Sequence, residues 1–396
     1  MKKIIALALA LCMVLALCAC GGAKKDEPAA EPAAEPTAEP AAEPTAEPAA
    51  EPAAEPAAAV MVAMVTDYGD ITDQSFNQTT YEACKEFCTD NGLQFSYFKP
   101  AGDSTPERVA SIEQAIDEGY NVIVMPGFAF GEAVRAVAEE YSDITFIALD
   151  VSESALGFEN GIPANVYSAV YQEELCGYMV GYAAVKLGYE KLGFLGGMAV
   201  PAVVRYGYGF VQGADAAATE LEKTDKVTMK YAYGNQFYGD ADITAAMDTW
   251  YNDGTEVVFA CGGSIYSSAA EAAAKVGGKV IGVDVDQIGI IDGQYGEGMT
   301  VTSAMKGLAP TVKALLSSVV DGTFEGGKVE TLGLVSENPE ENYVQIPMTT
   351  QFDDNFTAED YAALVAGMFN GEIVVSADTE TEPVSAIAVD YQGNIK

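Results

Sequence analysis

From about Val60 the chain alternates between short apolar runs and longer segments whose apolar residues recur at helical spacing. The apolar runs fall at 60–65, 93–98, 122–125 and 144–149, with helical patterns opening at Ser75, Pro106 and Phe130 between them. A strand that is apolar throughout is covered on both faces. A helix between two such strands makes the connection a crossover and the sheet parallel. After the run at 165–170 the series starts again, with strands at 191–196, 227–231, 257–260 and 280–283 and helices from Gln172, Pro201, Asp240 and Ile265. Two series predict an α/β chain of two Rossmann-like lobes with parallel sheets and a hinge. The expected boundaries are 60–165 with about 287–333 for the first lobe, 166–286 with about 334–380 for the second, and 381–396 as a tail.

The strand ends carry polar or glycine-rich tips: Thr66-Asp67, Pro126-Gly127, Asp150, Gly196-Gly197, Gly262-Gly263 and Asp284. Ligands of open α/β sheets bind off the carboxyl ends of strands, so two lobes facing that way enclose a ligand cleft. The first tip is the richest. Thr66-Asp67 is followed by a Gly- and Asp-containing turn, and Ser75-Phe76-Asn77-Gln78 opens a helix. A large aromatic at a helix mouth, among short polar side chains, suits stacking on a flat ligand whose edges the neighbours hydrogen-bond. Gly262 and Gly263 are expected to let backbone approach the ligand.

Composition narrows the chemistry. Fifty-nine Asp+Glu against 20 Lys+Arg give a formal charge of −39, which argues against nucleic acid and anionic membrane surfaces as partners. There is no histidine, which removes Ser-His and Cys-His hydrolases and His-based zinc sites. Seven cysteines occur; Cys12, Cys18 and Cys20 lie near the start and Cys84, Cys88, Cys176 and Cys261 in the folded part. Cys84 and Cys88, four apart on one helix, read as buried thiols, a bridge there being strained but not excluded. No metal site and no cofactor are expected.

Lys2 and Lys3 precede an apolar run over 4–19 that is short for a membrane span, and Leu17-Cys18-Ala19-Cys20-Gly21 resembles a bacterial lipobox. Residues 1–20 are therefore expected to be a lipoprotein signal, with Cys20 acylated and the protein anchored on the extracytoplasmic face of the cell membrane. Residues 21–59 repeat Glu-Pro-Ala-Ala and Glu-Pro-Thr-Ala and read as a semi-stiff tether, reaching on the order of 100 Å at ~3 Å per residue.

Taken in order, the tips carry a specific resemblance. Thr66-Asp67, the segment Asp73-Gln74-Ser75-Phe76-Asn77-Gln78, Gly127-Phe128, the strand ending in Asp150, the strand tip before Pro201, the run Gly282 to Gln287, Thr302 to Lys306 and Gly371-Glu372-Ile373 are similar to those of the basic membrane protein family. These are substrate-binding lipoproteins of ABC transporters that include PnrA-type purine nucleoside receptors. The resemblance spans about Val60 to Ala377 and implies a type I periplasmic-binding-protein fold with the ligand between the lobes. It implies that Phe76 stacks on a nucleobase and that Tyr206 closes its other side, with Tyr208 close by. Asp67 and Asn77 would serve the base edge, and Asp150, Asp284 and Lys306 the ribose. Ser75, Gly127 and Gly262 would complete the site. A purine nucleoside as ligand and a membrane permease as partner follow from the same resemblance; a monomer is expected, and no set of nucleophile, base and oxyanion donors points to an enzyme. The first loop has one obvious glycine where relatives often have more, and Tyr206 stands where they often carry phenylalanine, which bears on the choice of ligand.

Other readings have their own signatures. A same-fold receptor for sugars is weakly opposed by the single tryptophan, Trp250. A nucleoside hydrolase would hold calcium on a run of aspartates, which Asp67, Asp70 and Asp73 superficially resemble. A sensor or adhesin would show a partner other than a permease.

Overall fold

The computed structural model describes residues 59–67 and 69–396. The signal segment, Cys20 and residues 21–58 of the tether lie outside the described residues. The first sheet is built from β1 (Met61–Val65), α1 (Phe76–Asp90), β2 (Gln94–Phe98), α2 (Thr105–Asp117), β3 (Val122–Pro126), α3 (Gly131–Val137), β4 (Thr145–Leu149), α4 (Glu153–Leu156) and β5 (Val166–Tyr171). The second series runs α5 (Glu173–Lys186), β6 (Lys191–Gly196), α6 (Pro201–Glu220), β7 (Thr228–Tyr233), α7 (Ala241–Asn252), β8 (Val257–Cys261), α8 (Tyr266–Val276), β9 (Lys279–Asp284), α9 (Ile288–Tyr295) and β10 (Thr300–Lys306). The chain then returns through α10 (Leu308–Val320) and β11 (Lys328–Leu332) before β12 (Val344–Gln345), α11 (Ala358–Phe369) and β13 (Ala388–Asn394).

The strands form two sheets, ordered β11-β5-β4-β3-β1-β2 and β12-β10-β9-β8-β6-β7-β13. Every pairing is parallel except β12 with β10. The central strands β3 and β8 are buried along their whole length, as their unbroken apolar runs require. The α/β class, the parallel sheets and the alternation in two lobes agree with the sequence expectation.

The lobe boundaries differ from it in three places. β5 was expected to open the second lobe, but it pairs with β4 through Ile147 and Tyr167 and closes the first sheet. Alternation of strand and helix reveals a crossover but not which sheet edge receives the strand. β10 was placed with the first lobe, yet it pairs with β9, Ser303 beside Gly282, so the second lobe extends to Lys306. The expected tail holds β13, which pairs with β7 through Val389 and Met229. Its sequence, AVDYQGN, is mostly exposed and polar, an edge strand without the apolar run that marks the others.

Among the described residues three segments thus cross between the lobes: Tyr171 to Glu173, Lys306 to Leu308, and the one leaving Leu332. They are tied to one another. Gln172 N donates to Leu332 O at 2.9 Å, Tyr343 N to Gly333 O at 3.0 Å and Gly307 N to Tyr343 O at 2.7 Å. Side-by-side crossings of this kind form a hinge that lets two rigid lobes move against each other. Among the described residues no helix is long and apolar enough to cross a membrane, and Cys84, Cys88, Cys176 and Cys261 are buried free thiols.

Candidate ligand-binding site

Both sheets aim their strand ends at one cavity of about 580 Å³. The first lobe lines it with Asp67, Phe76, Asn77, Gly127 and Asp150, and the second with Tyr206, Phe237, Gly262, Asp284 and Lys306. Nine of the ten residues singled out from sequence are therefore brought together. The tenth, Ser75, is fully buried and not on the wall.

The start of α1 explains where Ser75 goes. Asp73 accepts from Ser75 N at 2.9 Å and from Asn77 N and Gln78 N at 3.0 Å, so its carboxylate caps the helix. The Ser75 hydroxyl is then not needed as a cap. It donates to Asp284 Oδ2 of the second lobe at 2.5 Å. Beside it, Gln74 holds φ 57° and its carbonyl accepts from Gln287 Nε2 at 3.0 Å. Ser75 and Gln74 therefore join the lobes directly.

One group of polar side chains surrounds Asp67. Its Oδ1 accepts from Gly69 N at 2.7 Å. A Cβ on Gly127, which has φ 126°, would lie 2.4 Å from Asp67 Oδ2, so only glycine lets the carboxylate lie against this turn. Burial pushes the Asp67 carboxyl up to about 6, against the pull of the Gly69 amide and the Arg108 charge. Asn77 Oδ1, also buried, has no hydrogen-bond partner among the described residues.

A second group surrounds Lys306. Its ammonium lies 2.5 Å from Asp150 Oδ2, 3.3 Å from Glu173 Oε1 and 3.8 Å from Asp284 Oδ1. It also sits 4.7, 5.3 and 5.8 Å from the ring centroids of Phe76, Tyr171 and Tyr206. Burial works against this charge, but Asp150, Glu173 and Asp284 outweigh it and hold the pKa above the ordinary lysine range. Burial raises Asp150 to about 6, with Lys306 opposing, and raises Asp284, with Lys306 and Ser75 opposing. Behind them Arg205 Nε bonds Glu173 Oε2 at 2.7 Å. Lys306, expected to meet a sugar oxygen, is thus engaged with carboxylates and sets their positions. Asp150 Oδ1 has no hydrogen-bond partner among the described residues.

The aromatic walls divide unequally. Phe76 is half-buried, whereas Tyr206 is only 1% exposed and its hydroxyl donates to Ala304 O at 3.4 Å. Tyr208, the other tyrosine weighed from sequence, is not on the wall and packs toward Tyr231. The half-buried ring of the second lobe is Phe237, in the loop between β7 and α7. It lies over Gly262, where a Cβ would come within 2.7 Å of Phe237 Cδ1 and φ is 133°. Gly262 therefore makes room for an aromatic. The sequence expectation ends this strand at Tyr231 and opens the next helix at Asp240, and Phe237 falls in the stretch AYGNQFYG between them. Its signal was the one that marked Phe76: an aromatic between a strand end and a helix cap, here Asp240.

Two lobes, a three-stranded hinge and a polar and aromatic cavity between facing strand ends define a two-lobed receptor for a small ligand. The chain belongs to the Bmp family, the PnrA-like substrate-binding proteins of ABC transporters, whose family model matches residues 60–366. A Lactococcus lactis subsp. cremoris protein named ABC transporter nucleoside-binding protein BmpA is 29% identical over 293 residues, 69% of this chain and 78% of the relative. Basic membrane protein A of Borreliella afzelii is 25% identical over 325 residues, 81% of this chain and 92% of the relative. An ABC transporter solute-binding protein from Aeropyrum pernix K1 superposes with a TM-score of 0.61 at 22% identity, covering 81% of this chain and 88% of that one, which supports the shared fold.

Proposed function

We propose that this chain captures purine nucleosides between its lobes and delivers them to a membrane permease, working as a monomer held at the extracytoplasmic face by a lipid on Cys20. The observation that carries the reading is the pairing of Phe76 and Phe237, half-buried aromatics from opposite lobes on one cavity that also holds two distinct polar groups. Phe76 and Phe237 take the two faces of the base, and Tyr206 is a side wall. Asp67 and Asn77 read the base edge, an acceptor beside a side chain that both donates and accepts. Asp150 and Asp284 accept from ribose hydroxyls while Lys306 holds them in place. The name of the Lactococcus relative points the same way.

The wall carries Asp67, Asp70, Asp73, Asp103, Asp150 and Asp284 against Lys99 and Lys306, a balance that disfavours a phosphorylated ligand. The lobes sample open and closed forms, and a ligand that touches both shifts the population to the closed one. The permease then receives the closed form, and no bond is made or broken.

Calorimetric titration of the chain from Ala57 onward tests this, after unfolding and refolding to strip carried-over ligand. Guanosine, inosine and adenosine are expected to bind, with cytidine weaker and ribose and GMP silent. Silence from every nucleoside in a folded sample removes the purine reading. Release of free base from inosine would make the protein an enzyme instead.

A further inference from the structure

Residues 384–396 lie beyond the match to the family model, which ends at 366, and form an arm along the second sheet. The arm is firmly seated. Asp215 Oδ1 accepts from Ala386 N and Ile387 N at 2.6 and 3.0 Å, and Ile387 is buried. β13 pairs with β7, the Tyr391 ring lies 5.0 Å from that of Tyr231, and Trp250 Nε1 donates to Gln392 Oε1 at 3.1 Å. The arm ends against the loop that carries Phe237. Ile395 N donates to Tyr233 O at 2.8 Å, prolonging the ladder to the last residue of β7. Lys396 Nζ reaches Gln236 Oε1 at 3.3 Å and forms an ion pair with Asp240.

Gln236 lines the cavity directly before Phe237. Its amide is held at both ends, Nε2 by Tyr238 O at 2.8 Å and Asp240 Oδ2 at 3.0 Å, and Oε1 by Lys396. Asp240 is itself the N-cap of α7, accepting from Asp242 N and Ile243 N. Lys396 therefore ties the last residue before Phe237 to the first turn of the next helix.

We propose that this arm is a clamp that presets the Phe237 loop for its ligand, with Lys396 as the positioning residue. The clamp acts before binding, so the cost of ordering the loop is met during folding and not during capture. The ligand part of the proposal rests on the nucleoside reading above; the loop-ordering part does not.

The test uses the chain with Lys396→Ala, a substitution at the end of the arm that leaves β13 in place. Hydrogen exchange at the amides of Asn235 to Tyr238 is read without ligand, and Trp250, the single tryptophan, reports by its emission whether the arm stays docked. Expected are about tenfold faster loop exchange, unchanged Trp250 emission and guanosine dissociation about 3- to 10-fold faster at unchanged association rate. In a Phe237→Ala background Lys396→Ala should add no further loss of guanosine affinity, because the clamp acts through that ring. Loop exchange equal to the parent chain overturns the clamp. So does an affinity loss of the same size in both backgrounds. If guanosine binds to neither protein the nucleoside reading falls, while the exchange comparison still decides whether the arm orders the loop.

Discussion

The two lobes present the same backbone to the cavity and different chemistry. β3 is followed by Gly127 with φ 126°, and its counterpart β8 by Gly262 with φ 133°. The next strands carry non-glycine residues at positive φ: Asp150 directly after β4 at φ 61°, and Asp284 at the end of β9 at φ 64°. The same pair of turns thus stands at corresponding strand ends of both sheets. The first strands then part company. β1 leads to Asp67 and to Phe76 and Asn77 at the mouth of α1, whereas β6 leads to Gly196-Gly197 and to Pro201-Ala202 at the mouth of α6. The fold repeats the geometry. The first lobe places polar side chains at that position, and the second leaves space that Phe237 fills from the neighbouring loop.

Lys306 is where the lobes are bound electrically, and removing it gives the largest effect. Lys306→Met leaves Glu173 with Arg205 but strands Asp150 and Asp284, which among the described residues have no other cation within 4 Å. Breaking a buried pair by deleting one partner costs about 3–5 kcal/mol. Urea denaturation without ligand should show a loss of that order together with loss of nucleoside binding. Stability unchanged in this variant would mean that the two sheets do not depend on the shared charge network.

The aromatic pair is the next test of the comparison. Phe76→Ala and Phe237→Ala should each weaken purine nucleoside binding by about 10- to 100-fold, the range of base–aromatic stacking, with the fold intact. Equal losses mean that the lobes contribute one face each. A normal affinity for Phe237→Ala with a large loss for Tyr206→Ala would return the second face to the tyrosine.

How much of this was readable beforehand follows the same division. The first lobe's tip announces itself in one continuous segment, because strand end, loop and helix mouth all carry polar or aromatic residues. Asp150 and Asp284 were visible as carboxylates ending apolar runs, although their positive φ was not. Phe237 was hidden because the stretch after Tyr231 carries no polar tip of the Thr66-Asp67 kind at the strand end. Ser75 was misplaced for another reason. A serine at a helix start suggests a cap or a ligand contact, and only the fold shows that Asp73 has taken the cap and that Asp284 lies within reach. Strand partners such as β5 and β10 depend on sheet edges far apart in sequence. β13 lacks the burial that makes a strand legible at all.

Asp67 and Asp150 are both raised to about 6, so the two polar groups are separated by combining pH with substitution. Asp67, raised to about 6 by burial, should serve the ligand as an ionised acceptor. Acidification from pH 7 to 5 then protonates it in the empty protein, and guanosine affinity should fall by about tenfold. The unliganded fold responds with the opposite sign: the folded pKa is raised, so this group lowers stability above pH 6 and that loss is relieved as pH falls toward 4. In Asp67→Asn the affinity profile should flatten between pH 5 and 7, leaving the contribution of Asp150. A profile identical to that of the parent chain would move base recognition away from Asp67.

The smallest expected effect concerns the direct bond between lobes. Ser75 Oγ meets Asp284 Oδ2 at 2.5 Å, and opening the hinge must break that bond. Water replaces each partner in the open form, so the bond favours closure by about 0.5–1.5 kcal/mol and not by its full strength. Ser75→Ala should therefore shift the empty protein toward the open form and weaken guanosine binding by about threefold, because only the closed fraction completes the site. Small-angle scattering should give a larger radius of gyration for the empty variant and the same radius as the parent when saturated with guanosine. Identical scattering in the empty state, with unchanged affinity, would reduce Ser75 to a packing residue. A loss in affinity without any change in scattering would instead place the hydroxyl among the groups that orient Asp284 toward the ligand.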